Sequence, residues 1–220
     1  MASKAEEAFD ESAKDIERLL EIHKSLGGDK KGRRYRLEVL NKSAIVLITA
    51  IWEAFCEDLA AEALDSLVQH APDASSLPKD LKKLIATELR AHANELAVWD
   101  VADGGWRQVL QARLKVLQAQ RNRRLNTPKT ENIDQLFETA IGLKSVSSAW
   151  KWHKMTIPKS RAKLDKFVTL RGEIAHRGQA GASCTKVQVK SYLSHITSLV
   201  PLTGAKVGGF TEGITKHALE

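Results

Sequence analysis

At 220 residues, with 43% hydrophobic and 28% charged residues, the chain has the balance of a globular protein with a sizeable core and fits one domain. Thirteen Gly and five Pro argue against a many-stranded β fold, the net charge of +7 favours a polyanionic partner, and two cysteines without metal-ligand spacing exclude a zinc ribbon or a disulfide scaffold. The start, Met-Ala-Ser-Lys-Ala-Glu-Glu, is no secretory leader, and the longest apolar run, Ala44 to Trp52, is too short to span a bilayer, so a reducing cytoplasm and no membrane partner are expected.

Phe9, Ile16, Leu19, Leu20 and Ile22 recur at helical spacing across residues 4–25, and Gly27-Gly28 ends that helix. The dense basic run Lys30-Lys31-Gly32-Arg33-Arg34-Tyr35-Arg36 follows. It suits a solvated loop and helix start, or a track for a phosphate backbone. From Arg34 to His70 the chain is apolar on more than one face, which predicts the central core helix, stopped by Pro72. Cys56 within it reads as a small core residue. Glu53 lies in the same run, and a carboxylate there either faces the surface or is buried with a partner. The surface is the expectation.

Pro78 starts a further helix that is expected to run to about Trp99, and Asp103-Gly104-Gly105 makes a turn. Trp106 to about Arg121 is helical again and ends in the cluster Arg121-Asn122-Arg123-Arg124, where cations are favoured for structural reasons alone. After the break at Asn126-Thr127-Pro128, Thr130 is placed to cap a short helix carrying Ile133, Leu136, Phe137 and Ile141. Trp150 and Trp152 follow, with core or rim packing expected over base stacking. Helices are expected from Ser160 to His176 and from Thr185 to about Leu199, with a loose Gly-rich tail after Pro201.

The stretch Arg171-Gly172-Glu173-Ile174-Ala175-His176 stands in the last turns of the helix that Gly178 and Gly181 close. Arginine and histidine five positions apart on a helix lie about 140° apart, far enough to flank a groove rather than stack. The chemistry open to such a pair is RNA cleavage without a metal. A histidine takes a proton from a ribose 2′-hydroxyl or returns one to the leaving oxygen, and an arginine stabilises charge on the phosphorus. Thirteen Arg and seven His give about 0.4 matches to R-x4-H by chance, and a second pair, Arg18 and His23, is present. On spacing alone, a helix-end ion cluster is the commoner reading of either pair.

Four segments in order resemble the RiboL-PSP-HEPN type of the HEPN superfamily. Leu40-Asn41-Lys42-Ser43-Ala44 leads into Trp52-Glu53-Ala54-Phe55, similar to that family's long helix. Gly104-Gly105-Trp106, then Leu125-Asn126-Thr127-Pro128 with Asn132-Ile133-Asp134 and Leu136-Phe137, resemble its middle segments, and Arg171 to Arg177 resembles its signature. The resemblance covers roughly residues 34–200. It implies an all-α helical bundle on one long central helix, a homodimer with signature helices near a two-fold axis, and metal-independent endoribonuclease activity in defence or toxin–antitoxin settings.

Carried over by position, Arg171 and His176 become the catalytic pair, with Glu173, Arg177 and Glu53 in support; Arg18 and His23 fall outside. Arg33, Arg34 and Arg36 are candidate RNA contacts. No cofactor or metal is expected; RNA, a second copy, and an antitoxin or effector protein are the expected partners. The organisation expected is an N-terminal helix and basic loop over residues 1–32, the helical domain over 33–200 and a tail over 201–220, all as one domain. Gly172 departs from the family, where a polar residue usually follows the arginine, and Gly178 replaces a tyrosine found in some related toxins. The departure at Gly172 keeps a second expectation open, a non-catalytic helical module that binds RNA, a nucleotide or a protein.

Overall fold

A computed structural model describes residues 3–27, 37–120, 125, 127–177 and 184–219. The helices are α1 (Lys4–Gly27), α2 (Glu38–His70), α3 (Lys79–Arg90), α4 (Gly105–Ala119), α5 (Thr130–Ile141), α6 (Ile157–Arg177) and α7 (Lys186–Thr215). Two 3-10 turns, Glu95–Val101 and Val146–Ala149, stand before α4 and α6. The described residues form an all-α bundle, as the periodicity predicts.

The run that is apolar on several faces becomes the 33-residue helix α2, roughly 50 Å long, and it packs on α1, α4, α5, α6 and α7. Ile45, Ile48, Trp52, Leu59 and Leu67 are fully shielded along it, which is why it shows no single hydrophobic stripe. Its ends are tied by side chains from elsewhere. The Arg107 guanidinium donates to the carbonyls of Val68 and Ala71 at the C-terminus, and Asn41 Nδ2 donates to the Cys184 carbonyl at 2.9 Å near the N-terminus. Both cysteines are buried and free, and burial raises both thiol pKa values, that of Cys184 to about 11.

Three expectations need correction. The helix that starts near Pro78 ends at Arg90 rather than Trp99, because the Asn94 side chain accepts the Leu96 amide at 3.0 Å and starts a separate 3-10 turn. Thr130 is not the cap of α5. Its amide and its hydroxyl both donate to Asp165 Oδ1, at 2.8 and 2.9 Å, so α6 supplies the acceptor that α5 lacks. The tail after Pro201 is not loose, because α7 continues to Thr215. Val207, Thr211 and Thr215 are buried along that extension, and the threonine hydroxyls donate back to carbonyls four residues earlier. Tertiary packing overrides the low helix propensity of proline and glycine. At Gly204 a Cβ would lie 2.2 Å from Glu6 Oε1, so a side chain there would displace the Glu6 carboxylate.

The Gly104-Gly105 turn joins two unlike positions. A Cβ at Gly105 would meet the Asp100 carbonyl oxygen at 2.2 Å, whereas one at Gly104 meets nothing within 4 Å. Gly105→Ala is expected to destabilise by about 1–3 kcal/mol, and Gly104→Ala to change stability by about 0.5 kcal/mol or less. Urea titration of the two variants checks this, and equal midpoints would contradict the close approach.

Candidate functional site

Helix α6 buries Leu164, Phe167, Val168 and Ile174 on one face. Two polar ties fix its first half, the Asp165 acceptor at the start of α5 and the Ser160 carbonyl, which accepts from His195 Nε2 at 3.1 Å. Burial, with Lys163 nearby, pushes the His195 pKa down to about 4, so this imidazole stays neutral near pH 7.

At about 100° per residue, Arg171 falls within the arc marked by Leu164, Phe167 and Ile174. It is accordingly half-buried and turned toward α2 and α7. Its charge is felt by Glu53 on α2 and by Tyr192 on α7. The Tyr192 ring stacks on Phe167 with centroids 4.3 Å apart, and its hydroxyl lies 3.0 Å from Thr49 Oγ1. The Thr49 hydroxyl donates to the Ile45 carbonyl, which leaves Tyr192 as donor to Thr49. The Arg171 Nε is buried and has no hydrogen-bond partner among the described residues. His176 is exposed one residue before the end of α6, and Glu173 is exposed as well. The two signature side chains therefore leave the helix on different sides, about 140° apart.

Glu53 corrects the surface expectation. It is half-buried beside Arg171, and its pKa is raised to about 7 by burial first and the neighbouring Glu57 second, with Arg171 pulling the other way. Sequence reasoning missed Glu57, which is 3% exposed and accepts the Leu125 amide at 3.2 Å. The available signal was a second carboxylate four residues on, inside the same apolar run. The pair sets a pH dependence. Folded Glu53 binds its proton more tightly than the unfolded side chain, so stability is lost as pH rises from about 4.5 to about 7. Thermal melts of Glu53→Gln are expected to show a shallower loss over that window than wild type, and parallel curves would contradict the burial of this carboxyl.

The other expected site residues fall out as follows. Arg33, Arg34 and Arg36, the cluster at residues 121–124, and Gly178 and Gly181 lie outside the described residues, and so does the Arg177 side chain. His23 is buried while Arg18 is exposed, so that second pair shares no surface. Trp150 is fully buried, with Nε1 donating to Thr203 Oγ1 at 2.9 Å, and is a core residue rather than a base-stacking platform. Trp152 is half-buried against the His195 ring at 5.5 Å. Asn132 and Asp134 are structural, donating to the Thr127 carbonyl and accepting from Ser147 respectively. Among the described residues, no helix is long and apolar enough to cross a membrane and no group of three or more His, Cys, Asp or Glu is placed to hold a metal ion.

None of the curated proteins and none of the solved structures gives a significant match to the chain. The family model described as RiboL-PSP-HEPN matches residues 10–202. That span begins earlier than the four segments do and takes in Arg18 and His23, whose opposed burial, rather than their position, sets them aside. With most of its length matched, and with an all-α bundle on one central helix, the chain belongs to the RiboL-PSP-HEPN family.

Proposed function

We propose that the chain is a metal-independent endoribonuclease whose cleft forms where two copies bring their α6 C-termini together. Family membership supports an RNA-directed role in general. The observation that carries the finer reading is the setting of Arg171, an arginine held half-buried beside a carboxyl that titrates near 7, on the same helix end as an exposed histidine. His176 takes the 2′-hydroxyl proton or returns one to the departing 5′-oxygen, and Arg171 balances charge on the phosphorane. The attack predicts a 2′,3′-cyclic phosphate on one product. Arg33, Arg34, Arg36 and Arg177 are candidate backbone contacts, Glu173 and Glu53 supporting groups, and an antitoxin or effector a candidate regulator in a defence setting.

Gly172 favours the second reading, a module that binds RNA without cutting it, because glycine offers phosphate no side chain. A Cβ there meets nothing within 4 Å, so a side chain fits without displacing a neighbour. Gly172→Asn is expected to raise cleavage roughly tenfold, the contribution of one good hydrogen bond to a charged group. The test incubates mixed RNAs in EDTA with wild type and Gly172→Asn, reading product ends by phosphatase sensitivity. Cyclic-phosphate products that grow with the asparagine support the nuclease. RNA retention that weakens steeply with salt, with no product from either protein, leaves the binding module.

A further inference from the structure

The 3-10 turn Glu95–Val101 carries the most exposed large apolar side chains of its surroundings: Trp99 is 71% exposed and Leu96 68%. Residues three apart eclipse one another in a 3-10 helix, so Leu96 and Trp99 form one ridge, and Val98 and Val101 form an adjacent face. That second face is the wall of an apolar groove of about 350 Å³, whose other sides are Leu77, Ile85, Leu89 and Trp106. The turn is rigidly held. Asn94 accepts the Leu96 amide, the Ala102 amide donates to the Trp99 carbonyl at 2.9 Å, and the missing Gly105 side chain lets α4 close on Asp100. With the backbone of the turn held, docking the indole has only its two side-chain torsions left to order.

Charge says what docks there. Ridge residues 95–103 carry Glu95, Asp100 and Asp103 and no cation. The groove wall α3 carries Lys79, Lys82, Lys83 and Arg90 against Asp80 and Glu88. Asp80 pairs with Lys144 at 3.1 Å and Lys83 at 3.9 Å, and Glu88 with Arg113; of the charged residues on α3 only Lys82, whose Nζ donates to the Ser75 carbonyl, and Arg90 line the groove, so its rim is basic. An acidic apolar ridge beside a basic-rimmed apolar groove is complementary to itself across a two-fold axis. We propose that this face joins two copies of the chain, each seating Trp99 in the other's groove beneath Lys82 and Arg90. The indole carries on the order of 150–250 Å². Two of them with their flanking valines and leucines reach roughly 1,000 Å², the lower limit for a specific interface. A reversible, concentration-dependent association follows.

The test uses the full chain and reads this face alone. Arg90→Cys and Asp100→Cys proteins are mixed and mildly oxidised; both native cysteines are buried. The mixed disulfide is expected to dominate over either homodimer, and adding Trp99→Ala to both partners is expected to remove it. In light scattering, Trp99→Ala is expected to raise the dissociation constant of this step roughly tenfold or more. Arg90→Glu and Asp100→Arg are each expected to weaken it, and together to restore it. A dimer through α6 does not depend on these residues, so the nuclease reading and this one fail separately. Equal yields of all three disulfides, or a mass profile unchanged by Trp99→Ala, would overturn self-association and leave the groove to another protein or an apolar ligand.

Discussion

His176→Ala is expected to lower RNA cleavage by about 10²–10⁴-fold while leaving the melting temperature unchanged. The imidazole is exposed near the end of α6, so its removal opens no cavity. Arg171 demands a different control. It is half-buried beside Glu53, so Arg171→Ala removes a positive charge that acts on that carboxyl and raises its pKa further. Arg171→Lys keeps the charge and loses the planar two-donor grip, and it is expected to cost about 10²–10³-fold with less effect on stability. Mixing the two inactive proteins sharpens the result. If each cleft draws on both copies, Arg171→Lys and His176→Ala proteins form hybrids holding one intact arginine and one intact histidine, and a share of activity returns. Wild-type cleavage by His176→Ala would remove the histidine from the mechanism.

How much of this was legible in the sequence depends on what each residue answers to. The long helix was readable because a 33-residue stretch rich in Leu, Ile and Ala is apolar on more than one face and contains no Gly or Pro. The signature helix was readable because its buried positions repeat at 3.6. What failed was local chemistry decided from a distance. Thr130 has the side chain of a cap, but Asp165, thirty-five residues on, is closer to the job. Pro201 and the glycines after it predict a loose tail by propensity, yet a helix forms because α1 and α2 offer Val207, Thr211 and Thr215 a place to bury. Asn94 breaks a helix whose apolar rhythm continues past it. At the site, Arg171 and His176 were visible as a spacing, whereas Glu53 facing Arg171 required knowing that α2 and α6 pack together.

The largest loss of stability is expected from Trp150→Ala, about 3–5 kcal/mol, against a total of about 5–15 kcal/mol for a typical domain. Trp150 is fully buried in an edge-to-face contact with Trp52, with ring centroids 6.0 Å apart, and Trp52 in turn stacks on Phe55 at 5.6 Å. Truncation leaves a cavity between α2 and α7 that the paired helices cannot close. The indole also holds a hydrogen bond, from Nε1 to Thr203 Oγ1 at 2.9 Å, while the buried Nε1 of Trp52 has no partner among the described residues. That difference separates packing from hydrogen bonding. Trp52→Phe sheds an unsatisfied donor together with part of a ring, and Trp150→Phe sheds a satisfied one and leaves the Thr203 hydroxyl, which still donates to the Leu199 carbonyl, without the donor it accepts from. Trp150→Phe is therefore expected to cost about 1 kcal/mol more than Trp52→Phe in denaturant melts. Both retain an aromatic ring against α2, so Glu53 keeps its place beside Arg171 and cleavage below the melting transition is preserved. A Trp52→Phe protein less stable than Trp150→Phe would show that ring volume, not the Thr203 bond, governs this corner of the core.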